Sequence, residues 1–116
     1  MLFVAVAIKN YLQYKNQARC LVRQRLDHYN QFYNFKYNRV SIKNQRSRWG
    51  SCSRLGNLNF NYRLASLPAE LADYIIVHEL CHLKEMNHSA RFWRLVAQTM
   101  PDYLDRRREL RKIRIN

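Results

Sequence analysis

Between Lys15 and Tyr33, apolar residues recur three and four positions apart: Ala18, Leu21, Val22, Leu26, Tyr29, then Phe32 or Tyr33. That is the period of one helical face, so the spacing predicts a long helix here. Lys15, Arg19, Arg23 and Arg25 fill much of the remaining circumference and read as a solvated face. The pattern breaks at Asn34–Asn38. Arg39-Val40-Ser41-Ile42-Lys43 then alternates and carries β-branched side chains, which predicts a short strand. A second extended piece is expected over Arg46–Cys52, followed by turn residues from Ser53 to Asn57. Leu58-Asn59-Phe60-Asn61-Tyr62 alternates strictly. This puts Leu58, Phe60 and Tyr62 on one face and turns Asn59 and Asn61 the other way, as solvent-side residues or substrate contacts. Together the three pieces predict a small antiparallel sheet with a hairpin around Gly56.

The next stretch has a different character. Leu71, Ala72, Tyr74, Ile75, Ile76, Val77, Leu80, Cys81 and Leu83 surround a helix almost completely, so that helix should be buried. Pro68 suits its first turn, Glu70 complements its dipole, and it should run to about Lys84 or Glu85. Ser89 is a natural N-cap for another helix from Ala90 to about Met100, with Phe92, Trp93, Val96 and Met100 as core positions. Pro101 ends it. A terminal basic helix follows from Asp102 to Ile113, and Arg106, Arg107, Arg108, Arg111, Lys112 and Arg114 make it the densest positive patch. The fold class expected is α+β, mostly helical, with the small antiparallel sheet packed on the buried helix. A chain of 116 residues is read as a single domain spanning 1–116, with residues 1–14 an atypical N-terminal segment. Trp49 is expected to anchor the core rather than to form a lid.

Composition changes this picture in two places. The chain is 47% hydrophobic and holds only two glycines and two prolines, which excludes a disordered or loop-rich protein. Its 21 Lys and Arg against 8 Asp and Glu give a net charge of +13. Such a field favours anionic partners, nucleic acid or nucleotide among them, or serves solubility alone; the two readings stand level. Cys20, Cys52 and Cys81 form no C-x-x-C pair, which points to a reducing compartment without disulfides. Cys81 reads as apolar filler, and Cys52 as a packing residue before a reactive thiol. The apolar run Met1–Ile8 is far shorter than a membrane span and lacks a preceding basic region, so a cytoplasmic location is expected.

The candidate chemistry lies in the buried helix. His78-Glu79-Leu80-Cys81-His82 reads H-E-x-x-H, and His88 follows after five residues. At about 100° per residue, His78 and His82 lie about 40° apart, one turn from each other on one face. Two imidazoles so placed can hold one metal ion, and Glu79 projects close enough to reach a metal-bound water without being a ligand. Five residues let the chain leave the helix, turn and bring back His88 as a third ligand. Three neutral imidazoles leave an open coordination position, which is the catalytic type of zinc site. The metal ligands expected are therefore His78, His82 and His88, the catalytic base Glu79 and the cofactor zinc (Zn2+). His28 lies far from the motif and is expected to be exposed or structural. No residue is assigned to stabilise an oxyanion; Arg48 is a candidate only by its place in the motif near the sheet, and Glu85 or Asp73 are candidates for orienting a ligand imidazole.

Several segments also carry a resemblance. Ser47-Arg48-Trp49-Gly50-Ser51-Cys52-Ser53, Gly56-Asn57-Leu58-Asn59-Phe60-Asn61, His78 to His82, Asn87-His88-Ser89 and Phe92-Trp93 occur in order. Over about Gln17 to Ile113 the chain resembles the YgjP-like metallopeptidase-domain family, which is related to the SprT-like and WLM zinc peptidases. The resemblance implies a zincin-like fold and a zinc-dependent metallopeptidase acting on a peptide or protein through a zinc-bound water activated by a glutamate. It also implies strands before the long helix that this chain lacks, so its N-terminal segment is expected to be the remnant of a shortened region. Some family members carry another label, nucleotide pyrophosphatase acting on uridine triphosphate, and the same site suits that chemistry. A non-catalytic nucleic-acid-binding module with structural zinc is the third reading. SprT-like relatives act on DNA-bound proteins, which keeps nucleic acid among the expected partners.

Overall fold

In the computed structural model, residues 2–115 are described, with side chains described from residue 11. The first helix, α1, runs Leu2–Tyr33 and is longer than the periodic stretch alone predicted. Its backbone carries through the atypical N-terminal segment; the side chains of the apolar run Met1–Ile8 lie outside the described residues. Ala18, Val22, Leu26 and Tyr29 are its buried face. The helix ends where Asn34 takes a positive φ of 57°, a conformation that asparagine tolerates better than most residues. Among the described residues no helix is long and apolar enough to cross a membrane.

Three strands follow: β1 (Arg39–Lys43), β2 (Gly50–Cys52) and β3 (Asn57–Asn61). Their order is β1-β3-β2. β2 and β3 form the expected hairpin, with Cys52 opposite Leu58 and Gly56 at φ 82°, where glycine is strain-free. The expectation of an antiparallel sheet fails for β1, which pairs parallel to β3, Val40 beside Leu58 and Ile42 beside Phe60. The chain leaves β1, passes the end of the β3 position to form β2 on the far side, and returns as β3 between them. The sheet is therefore mixed, with β1 and β2 as its edges.

Asn61 is a second correction. It is 0% exposed rather than solvent-facing. Its amide donates to the carbonyls of Gln45 and Arg48, and its oxygen accepts from Arg63 N–H, capping a short 3-10 helix at Tyr62–Ser66. Strand alternation stops there, so Tyr62 is not a strand residue.

The buried helix α2 spans Ala69–His82, ending earlier than expected, and Pro68 stands at its N-cap position, one residue before the first turn. It packs against α1, β2, α3 (Ala90–Thr99) and α4 (Tyr103–Arg111). Ser89 caps α3 by accepting from Phe92 N–H, as its position predicted. Phe92, Val96 and Met100 are core, whereas Trp93 is only half-buried. Trp49 is likewise half-buried against the core.

Candidate metal centre

The site follows from where α2 stops. After His82 the chain makes a turn, with Leu83 N–H bonded to Leu80 O and Glu85 N–H to Cys81 O. The segment then brings His88 back beside the helix it has just left, and Ser89 starts α3 immediately after. Nε2 of His82 lies 3.1 Å from Nε2 of His78 and 3.0 Å from Nε2 of His88, with 3.1 Å between His88 and His78. The grouped donor atoms are those of the three histidines alone; Cys52 is not among them.

Two of the opposite ring nitrogens are occupied elsewhere. Nδ1 of His82 lies 3.0 Å from the Glu85 carbonyl oxygen, which can only accept, so Nδ1 carries the proton and Nε2 offers a lone pair. Nδ1 of His78 lies 3.4 Å from the Tyr74 hydroxyl. Phe92 stacks on the His82 ring at 4.4 Å and Trp93 on the His88 ring at 5.8 Å, which restrains both ring planes. Three nitrogen lone pairs converging on one point repel one another unless a cation lies among them. An all-imidazole set suits a borderline transition-metal ion far better than magnesium or calcium, which take oxygen ligands. The residues therefore fit a metal of that class. Burial and the neighbouring histidines hold His78 down to about 3, so it stays neutral as a ligand must. His82 is lowered as well, again chiefly by burial.

Glu79 lies beside this cluster at 7% exposure, facing the sheet. A Cβ on Gly50 would stand 3.1 Å from Glu79 Cγ, so the missing side chain of Gly50 is what admits the glutamate against β2. Burial pushes its carboxyl up to about 8, with the charge of Arg48 opposing. A carboxyl so placed is a stronger base once ionised than a solvated one. Cys52 shares this neighbourhood, but burial raises its thiol to about 11, which keeps it protonated and unreactive near neutral pH. Cys20, Cys52 and Cys81 are all free.

The expectation for the orienting carboxylate is corrected twice. Asp73 turns away from the histidines to Arg25 and the Tyr29 hydroxyl, at 2.8–3.1 Å. Glu85 contributes its backbone carbonyl, not its carboxylate. His28 is exposed on α1 and touches Tyr29 and Phe32, outside the site. Four residues at the site were not singled out for it from sequence: Gly50 behind Glu79, Tyr74 at His78, Phe92 against His82 and Trp93 against His88. Trp93 directly follows Phe92, about 100° further round the helix, so both could not face one core; that offset was the available signal.

Residues 6–113 match the model of the YgjP-like metallopeptidase domain. The chain belongs to this family. The match begins before Gln17, so the family pattern reaches into the segment read as atypical. Among solved structures, the chain is similar to the metallopeptidase zymogen of Pyrococcus abyssi abylysin, with 26% identity and a TM-score of 0.69 over 79% of this chain and 94% of that one. It is also similar in fold to the zymogen of Methanocaldococcus jannaschii jannalysin, with 24% identity, a TM-score of 0.63, and coverage of 82% and 94%. A search of curated proteins finds no match. As a member of this metallopeptidase-domain family the chain is a peptidase-like hydrolase.

Proposed function

We propose that this YgjP-like chain is a zincin-like zinc metallopeptidase, with His78, His82 and His88 as the metal ligands and Glu79 as the general base. The observation that supports this most is the convergence of three Nε2 atoms at 3.0–3.1 Å beside a buried, basic carboxylate that is not one of the grouped donors. When bound, zinc supplies Lewis acidity, which makes a water easier to deprotonate and polarises the scissile carbonyl. Glu79 takes the proton of the attacking water and delivers it to the leaving amine. Its burial excludes bulk water and keeps the carboxylate basic, while Gly50 lets it approach. Phe92, Trp93 and the Glu85 carbonyl hold the imidazoles in orientation. β2 is an edge strand packed on α2, so its free side offers backbone groups to an extended peptide lying across the site.

The test is Glu79→Gln. Glutamine keeps the volume and loses the base. Metal analysis should show zinc retained as in the wild type. Hydrolysis of peptides should fall by roughly 10²–10⁴. Wild type and variant should be assayed in parallel on peptides and nucleoside triphosphates. A wild type that cleaves only nucleoside triphosphates, and a variant that does not, would keep the site and reject the peptidase reading. A variant that retains full peptide cleavage would remove Glu79 as the base.

A further inference from the structure

Beside the metal centre the structure holds an open cleft of about 620 Å3 with Tyr74 and Trp49 among its aromatic lining. Four arginines line it as well: Arg46, from the segment between β1 and β2, Arg107 and Arg111 one turn apart on α4, and Arg114 beyond α4. The cleft adjoins the site: Tyr74, which lines it, also lies 3.4 Å from Nδ1 of His78 through its hydroxyl. Arg107 lies over the Trp93 ring at 5.0 Å, and Trp93 in turn stacks on His88.

The charges of α4 are sorted by face. Asp102, Asp105, Arg106 and Glu109 line a separate cavity on the other side, together with Glu70. The acidic residues of α4 form ion pairs with Arg106, Arg108 and Lys112. Among the described residues, no ion pair involves Arg46, Arg107, Arg111 or Arg114. A surface that served solubility alone has no need to keep its carboxylates on one face of a short helix and unpaired guanidinium groups on the face beside a metal centre. Four arginines lining one open cleft match carboxylates, which the guanidinium group binds in its planar fork.

We propose that this cleft is a substrate subsite for acidic side chains, so that the enzyme favours peptides with Asp or Glu flanking the scissile bond. The inference rests on the peptidase reading and deepens it by naming the substrate class. A peptide pairing along the free edge of β2 runs past Trp49 at the start of that strand and presents neighbouring side chains to Arg46, Arg107 and Arg111.

Binding separates this inference from the catalytic reading. The zinc-loaded Glu79→Gln protein is titrated into two labelled peptides, one carrying Glu residues and one with Gln at the same positions, and fluorescence anisotropy is followed. The acidic peptide should bind roughly tenfold tighter at low salt, since each exposed pair contributes modestly and several act together. Its advantage should shrink as salt rises. Arg107→Gln with Arg111→Gln should abolish the preference by weakening the acidic peptide far more than the neutral one, with zinc retained. If the double variant does not fold, the exposed Arg111→Glu alone should reverse the preference in the same assay. Equal affinities for the two peptides in the parent protein would overturn the proposal, as would a preference that survives the arginine substitutions. Displacement of the acidic peptide by duplex DNA at lower concentration, lost with the same arginines, would also overturn it and assign the cleft to nucleic acid. A wild type that cleaves no peptide would defeat the catalytic reading without touching this measurement.

Discussion

At Gly50, the absence of a side chain leaves the room that Glu79 occupies. An added Cβ would lie 3.1 Å from both Asn59 O and Glu79 Cγ. The carbonyl belongs to a paired strand and cannot yield, whereas the glutamate side chain can. Gly50→Ala should therefore displace the carboxylate, lowering kcat about 10- to 100-fold while zinc retention stays at the wild-type level. Its effect on stability should stay within the about 1–3 kcal/mol of ordinary overpacking. Steady-state kinetics with metal analysis on one preparation checks this, and an unchanged kcat would show that β2 does not position Glu79. Gly50 shows what was hidden at the residue scale. The placement of His78, Glu79 and His82 was legible because helical geometry converts sequence spacing directly into angular position, and that of His88 because five residues suffice for the chain to leave the helix and return. The residue a glycine makes room for has no such rule, because it comes from another element. Asn61 was missed for a related reason. Alternation assigns faces only while the strand lasts, and here the chain leaves the strand for a 3-10 helix that Asn61 itself caps. The residue type was a signal, since asparagine ranks among the strongest N-caps.

At the scale of elements, α2 is held by its neighbours through one polar clamp as well as by packing. Arg25 on α1 donates two hydrogen bonds to Asp73 on α2, at 2.8 and 2.9 Å, and Tyr29 adds a third at 3.1 Å. The bond to Asp73 and its charge raise the guanidinium above its ordinary range. Asp73→Asn keeps the shape but loses the charge and half the acceptors. It should lower unfolding stability by about 1–3 kcal/mol, read from denaturant midpoints, without changing zinc retention. Loss of zinc in that variant would return Asp73 to the support of the histidines. The elements themselves were largely legible, because period 3.6 and period 2 are local properties of a sequence. Strand direction is not local. β1 reads the same whether it pairs parallel or antiparallel, and the parallel pairing follows from the chain running past the end of β1 to β2 before β3 inserts between them. Trp93 shows the matching limit for helices: a run of apolar residues at helical spacing does not say which of two adjacent ones faces the core and which faces a site.

Over the whole molecule, the candidate metal site draws its nitrogens from two parts of the fold. His78 and His82 come from α2, and His88 from the segment that leads into α3, whose Phe92 and Trp93 press on two of the rings. An unfolded chain holds these nitrogens at no fixed distance, so an ion that binds the folded arrangement stabilises the whole fold by mass action. With free zinc at roughly 100 times its dissociation constant, the gain is about 2.7 kcal/mol. For a domain of this size that corresponds to roughly 10 °C in Tm. Scanning calorimetry should therefore show the wild type losing this increment when a chelator removes the metal. His88→Ala should show little response to the chelator, because two imidazoles on one helix bind much more weakly than three. Glu79→Gln should respond like the wild type, since its carboxylate is not part of the ligand set. A Glu79→Gln protein that no longer responds would mean that the glutamate helps to hold the ion, and its role as a free base would have to be abandoned. A wild type that binds zinc with no change in Tm would mean that the ion is held equally well by the unfolded chain, and the site built by the turn after His82 would not be the one in use.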